Sequence, residues 1–185
     1  MKFDWDEVWN RKGASDSEDH VYVSGFENTV LDSARAAAEL VKLLEIKPED
    51  TVLEIGAGAG VLARHFHMNC HYVATDKSEL MVKKTIALNG WSAVTCEAND
   101  IIFKDKTFDK VYAFGVFHYF PDHEYARKVL QEMLRIAKVA VSVCDVPRIS
   151  HDDNHLLYQD SFFDGWEITE GFYTERRFNA TKFLR

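Results

Sequence analysis

The sequence is poor in the features that mark an exported, membrane-spanning, disulfide-built or nucleic-acid-coating chain. Only three cysteines, Cys70, Cys96 and Cys144, are spread over 185 residues. Their odd number and lack of metal-type spacing argue against a disulfide framework and point to reduced thiols. Three prolines and nine glycines leave no material for a long disordered linker. No apolar run approaches the roughly 18 residues of a membrane helix. The opening Met1-Lys2-Phe3-Asp4-Trp5-Asp6 is acidic and aromatic, the wrong composition for an export or import signal. Positive charge is scarce too: 22 Lys and Arg against 30 Asp and Glu, a formal net charge of −8. Nucleic acid held by general phosphate attraction needs a basic face, and Arg176-Arg177 reads as a solvated pair. A cytoplasmic protein is expected, with neither membrane nor nucleic acid among its partners.

What is present suffices for one domain: 46% of the residues are hydrophobic, enough for a three-layer core. The most informative stretch is Thr51-Val52-Leu53-Glu54-Ile55-Gly56-Ala57-Gly58-Ala59-Gly60. A short apolar strand stops at Ile55, carries an acid at Glu54, and enters a turn with glycines on alternate positions. Glycine allows the sharp bend and leaves bare backbone for a ligand to lie against. A helix is predicted from about Gly60 to residue 67, with its first N–H groups facing that ligand. The dinucleotide fingerprint asks for a third glycine one residue later; Val61 stands there.

Apolar periodicity extends the pattern in both directions. A short helix over 4–10 carries Trp5, Val8 and Trp9, and a polar, turn-like stretch follows over 11–20. A helix over 28–44 precedes strand one (51–55). Strand 71–75, helix 78–89, strand 93–97, strand 109–114, helix 122–136 and strand 138–144 then succeed one another. A closing hairpin has strands near 167–169 and 180–184. Such alternation predicts a parallel sheet between helices. In the run Tyr72-Val73-Ala74-Thr75-Asp76-Lys77-Ser78, Asp76 tips the second strand. There it can accept both hydroxyl protons of a ribose laid across the switch point of the sheet. Ser78 is better placed to cap the next helix.

The Gly-x-Gly-x-Gly turn behind Glu54 resembles motif I of the class I S-adenosylmethionine-dependent methyltransferases. Two further runs are similar to motifs of the same family. Cys96 to Asp109 resembles Gly-Asp-Ala-x-x-Leu-Pro-Phe-x-Asp-x-Ser-Phe-Asp, with Cys96, Glu97 and Ile102 in place of glycine, aspartate and proline. Lys110 to Asp122 resembles the fourth-strand pattern Val-x-x-x-x-Val-Leu-His-His-Phe. The resemblance spans 51 to 122 and extends more weakly to about 147. It implies a Rossmann-like three-layer α/β sandwich with a mostly parallel seven-stranded sheet, the last strand antiparallel beside the fifth. A short N-terminal helical lid and helix (1–45) would precede a cofactor-binding core (51–145) and a C-terminal acceptor-side segment with hairpin (146–185). The implied cofactor is S-adenosyl-L-methionine, with S-adenosyl-L-homocysteine as product. Its implied contacts are Glu54, Gly56, Ala57, Gly58, Gly60, Asp76 and Lys77, then Glu97, Ala98 and Asn99 for the adenine, and Phe114 and Gly115 at the end of strand four. Trp9 joins them because the Trp5–Trp9 opening faintly resembles thiopurine-type enzymes, whose N-terminal segment covers the methionine part.

The acceptor cavity is expected among Trp5, Trp9, Tyr22, Phe26, Phe117, His118, Tyr119, Asp145, Arg148, His151 and Tyr173. His118 is the candidate base, since an unperturbed imidazole titrates near pH ~6.5; the competing reading is a structural hydrogen bond. Asp145 is a second candidate base or acceptor anchor, and Arg148 would suit an anionic acceptor. His65, His67 and His71 straddle a helix end and a strand start with no further ligand to complete a set, so no metal is expected. His151 and His155 read as acceptor contacts. The expected activity is methyl transfer to oxygen or nitrogen of a small molecule by a monomer or weak homodimer. Methylation of protein or RNA, and a silent cofactor-binding subunit, are the alternatives. Residues 11–20 carry no large apolar anchor, so the lid is expected to open locally.

Overall fold

The computed structural model describes residues 3–66, 70–149 and 152–184. Strand β1 (Thr51–Ile55) is buried on both faces, as its unbroken apolar run requires. Val52 points into one core with Tyr72, Ala74, Tyr112 and Phe114, while Leu53 and Ile55 point into the other with Val111 and Ala113. Around β1 lie β2 (His71–Asp76), β3 (Ser92–Thr95), β4 (Phe108–Phe114), β5 (Ala137–Pro147), β6 (Glu167–Glu170) and β7 (Arg177–Phe183). They form one seven-stranded sheet in the order β3-β2-β1-β4-β5-β7-β6. The first five run parallel, with Leu53 beside both Val73 and Val111. β7 is antiparallel to β5 and to β6. The strand order reverses between β1 and β4, which opens a crevice above their carboxyl ends.

The helices cover both faces. α5 (His123–Ile136) buries Ala126, Val129, Leu130, Met133 and Ile136 at helical spacing, and Asp122 caps it by accepting from Tyr125 N at 2.8 Å. α3 (Ser33–Leu43) seats Ala36, Ala37 and Leu40 on the opposite face. α4 (Glu79–Asn89) starts at Ser78, whose hydroxyl accepts from Met81 N, and stops at left-handed Gly90.

Two expectations need correction. After the glycine turn, residues 60–66, the described part of the predicted helix over 60–67, form no α-helix. A single 3-10 turn, Ala63–His65, stands in its place, closed by His65 N to Leu62 O at 2.9 Å and Phe66 N to Ala63 O at 3.0 Å. Gly60 has φ +70°, which no right-handed helical turn accommodates, and Val61, Leu62, Ala63 and Phe66 are all buried, so the segment coils tightly into the core. The first N-terminal helix is longer than predicted: α1 is Trp5–Ala14, so residues 11–14 are helical. The end of α1 and the following Ser15 also carry ties to the rest of the domain. Gly13 is buried against α4, where a Cβ would lie 2.8 Å from the Leu80 carbonyl carbon. Ser78 Oγ donates to Asn10 Oδ1 at 2.6 Å, and Lys84 Nζ donates to Ser15 O at 2.6 Å. Lys12 reaches Glu27 at 2.7 Å. Polar clasps and a missing side chain do the holding, which a search for apolar anchors overlooks. A short α2 (His20–Val23), also unpredicted, follows.

Candidate functional site

The crevice is a cavity of about 520 Å³, floored by the ends of β1, β2 and β4 and roofed by α1. Glu54 is buried in its floor, and its Oε2 accepts from the hydroxyl of Tyr72 and, at 2.8 Å, from that of Tyr112. Burial pushes the Glu54 carboxyl up to about 7, against the two tyrosine hydrogen bonds that favour the ionised form. The turn beyond it is tight. At Gly56 (φ +66°) a Cβ would fall 2.5 Å from Val116 Cγ2, so only glycine fits. Ala57 N donates to Thr75 O, fixing the turn against β2.

Asp76 stands at the tip of β2 on the cavity wall. Its Oδ2 accepts from Gly58 N and its Oδ1 from Ser78 N, each at 2.9 Å. Burial raises its pKa while those N–H groups oppose the shift. Two backbone donors therefore aim the carboxylate, and each oxygen keeps a second lone-pair direction.

Of the residues predicted to hold the cofactor, the structure brings Glu54, Gly56, Ala57, Gly58, Asp76, Lys77, Ala98, Phe114, Gly115 and Trp9 to the cavity. Gly60, Glu97 and Asn99 are not in its lining. Gly60 instead meets α4, where a Cβ would lie 2.9 Å from Asn89 Nδ2. Glu97 is exposed and accepts from Tyr125 OH at 2.9 Å. The longer glutamate reaches the phenol of Tyr125, which with Cys96 lines that end of the cavity.

At the other end, Trp5, Tyr119 and His155 form an aromatic wall, with Trp5–Tyr119 centroids 4.5 Å apart and Trp5–His155 5.3 Å. His118 and Asp145, predicted as catalytic, do not line the cavity. His118 is buried behind the wall, its ring 4.0 Å from Tyr119 and 4.6 Å from His155. Arg177 Nη1 lies 3.4 Å from both His118 Nδ1 and Asp145 Oδ2. Burial pushes Asp145 up to about 6, while the Arg177 charge and a hydrogen bond from Tyr173 pull it down. Arg148 pairs with Asp160 at 3.2 Å and lies 3.7 Å from Glu170, so it too is missing from the lining. Phe117 belongs to the core, Tyr22 lies under Lys12 at the surface, and Tyr173 braces Asp145. Phe26 lines the cavity. His151 and His67 lie outside the described residues. His65 bonds Ser33 and His71 faces Glu49. Among the described residues no group of three or more His, Cys, Asp or Glu could hold a metal ion.

Sequence reasoning missed Ser24, Val116, Phe120 and Tyr125 in the lining. Tyr125 had a readable signal: it sits in the first turn of α5, three residues after the Asp122 cap.

Comparison with known proteins shows what this chain and its crevice are similar to. Residues 52–140 match the family model described as "Methyltransferase domain". Just under half of the chain is thus similar to a methyltransferase domain. The methyltransferase fold is shared along its whole length with a SAM-dependent methyltransferase from Aquifex aeolicus, at 20% identity, 100% coverage of both chains and a TM-score of 0.66. Magnesium protoporphyrin IX methyltransferase from Synechocystis, with bound SAM, is similar at 16% identity and a TM-score of 0.65, covering 95% of this chain and 88% of that one. In sequence, the chain is 30% identical over 95 residues to the human protein named "Probable tRNA methyltransferase 9B". That match takes in 51% of this chain and 20% of the human one, so the chain spans about one fifth of that relative's length. Among the described residues, no helix is long and apolar enough to cross a membrane.

Proposed function

We propose that this domain binds S-adenosylmethionine and transfers its methyl group to an oxygen or nitrogen of a small-molecule acceptor. The observation that carries the reading is the Asp76 carboxylate, aimed at the cavity by Gly58 and Ser78 N–H beside the bare backbone of Gly58. The residues fit the cofactor: a cavity of about 520 Å³ suits a nucleoside-sized ligand, and glycines at 56 and 58 clear its floor. When bound, S-adenosylmethionine supplies an already activated methyl group, so the protein contributes alignment, water exclusion and proton removal. Asp76 would accept from the ribose hydroxyls, Cys96, Ala98 and Tyr125 would enclose the base, and Glu54 would meet the ammonium. Trp5 and Trp9 roof the reacting end. His155, whose residue lines the wall, takes the acceptor's proton. His118 and Asp145, set behind that wall, hold Tyr119 and His155 in place.

The acceptor is neutral or cationic on this reading, because Asp4, Asp6, Glu54 and Asp76 line the cavity against Lys77, itself paired with Asp6 at 2.5 Å. The net charge of −8 supports a small molecule over RNA. The sequence likeness to a probable tRNA methyltransferase favours the second reading, RNA methylation. So does a likeness to the putative methyltransferase solved with the Trm112 activator from Haloferax volcanii, at 20% identity and a TM-score of 0.64. Three free cysteines accord with a cytoplasmic setting.

Labelled methyl transfer from S-adenosylmethionine into a cell extract, fractionated into small molecules, tRNA and protein, tests the assignment. Label is expected in the small-molecule fraction, and its loss with Asp76→Ala. Label in tRNA would establish the second reading, and binding without transfer would make the domain a silent subunit.

A further inference from the structure

Ser24 ends α2, where its backbone N–H donates to His20 O at 3.0 Å. Its Oγ is buried and has no hydrogen-bond partner among the described residues. Four buried side-chain atoms share that condition: His20 Nδ1, Ser24 Oγ, Asn89 Oδ1 and Asp145 Oδ1. Of their residues, Ser24 alone lines the cavity. A hydroxyl carries one donor and two acceptor directions, and a buried polar group of this kind asks for a partner.

Its position says which end of a ligand it faces. Across from it is Gly58, where an added Cβ would find Ser24 Oγ as its one neighbour within 4 Å, at 4.0 Å. That leaves a slot between a bare backbone and a hydroxyl. From Ser24 the chain continues to Phe26, whose ring stacks on Phe114 at 5.4 Å and comes within 3.0 Å of a Cβ built at Gly115. Residues 24–26 therefore follow the slot from the β1 turn to the end of β4. Asp76 and Cys96 lie at the ends of β2 and β3, on the other side of β1. A ligand with its ribose on Asp76 and its base toward β3 turns its remaining end to Ser24.

We propose that Ser24 is the residue that selects the amino-acid end of the cofactor, its Oγ–H donating to the carboxylate while Glu54 meets the ammonium. The inference rests on reading the cavity as an S-adenosylmethionine site. Lys77, the one ammonium side chain in the lining, is already paired with Asp6, which leaves the hydroxyl as a donor available to an anion.

Calorimetry with two ligands separates this role from the rest of the site. S-adenosylhomocysteine carries the amino-acid end; 5′-methylthioadenosine shares the nucleoside and the sulfur but lacks that end. Ser24→Ala should weaken S-adenosylhomocysteine about tenfold, as for loss of a hydrogen bond to a charged group, and leave 5′-methylthioadenosine within about twofold. Ser24→Thr, which keeps the hydroxyl, should retain most of the affinity. The thermal midpoint of the ligand-free Ala variant should hold or rise, because the lost hydroxyl made no bond. Equal losses for both ligands, no loss for S-adenosylhomocysteine, or a lowered ligand-free midpoint would overturn the assignment. A wild-type protein that bound neither nucleoside would overturn the site reading itself.

Discussion

Replacing Glu54 with Gln probes the one ionisable side chain buried beneath the cavity floor with two phenols on it. Burial raises the Glu54 carboxyl from 4.5 to about 7. A folded-state value above the unfolded one means that the neutral form is favoured by folding. The contribution is fully present below pH ~4.5 and is lost as pH rises through about 7. The gap is worth about 3 kcal/mol at order of magnitude. Gln keeps the shape and a carbonyl oxygen for Tyr72 and Tyr112 but has no proton to lose. Urea denaturation of both proteins without ligand should show the Gln variant gaining on wild type by about 3 kcal/mol between pH 5 and pH 8. The comparison cancels the other raised carboxyls, Asp76 and Asp145, which both proteins share. With S-adenosylhomocysteine the order should reverse at pH 8: an ionised Glu54 meets the ligand's ammonium, so wild type should bind about tenfold or more tightly than the variant. A stability difference identical at pH 5 and pH 8 would refute the buried, neutral carboxyl, and equal ligand affinities would refute its role.

Two further outcomes follow from the backbone. Gly58→Val places a branched side chain at φ +54° in the slot facing Ser24, and calorimetry should find S-adenosylhomocysteine binding lost while the sheet still unfolds cooperatively. Gly13→Leu should push α1 off α4, where even a Cβ meets Leu80 at 2.8 Å; hydrogen exchange over residues 5–15 should accelerate, and protection there equal to wild type would contradict the seat.

The sheet was legible because its central strands β1 and β4 are apolar runs buried on both faces, and Ser78 announced its helix by chemistry alone. The turn after β1 was legible too, since a buried acid followed by alternate glycines has few other uses. What followed Gly60 was not. Val61, Leu62 and Ala63 have helix-compatible side chains, but burial of all three and the left-handed Gly60 favoured a tight coil. α1 was misread for the converse reason: its seat is a glycine and an asparagine, which carry no hydrophobic signal. His118 followed its motif to the right strand end, yet a sequence does not say which side of a wall a ring occupies. Arg177, far along the sequence on β7, lies 3.4 Å from His118 Nδ1, a contact that the motif could not announce. Glu97, one methylene longer than the motif's aspartate, accepts from the neighbouring Tyr125 phenol, a pairing that the motif does not announce.

Asp76, Lys77 and Ser78 are consecutive, and they serve two masters. Asp76 faces the cavity, while Lys77 grips Asp6 and Ser78 grips Asn10, both on α1. Ser78 N also donates to Asp76 Oδ1, so the grip on α1 and the aim of the carboxylate share a single peptide turn. Thermodynamic reciprocity then applies: whatever free energy the ligand adds to the docking of α1, a docked α1 adds to the ligand. Anything that lifts the N-terminal helix, a proteolytic nick or a competing partner, acts as a negative effector of cofactor binding without entering the cavity. A protein that clamps the same helix down acts as an activator by the same arithmetic.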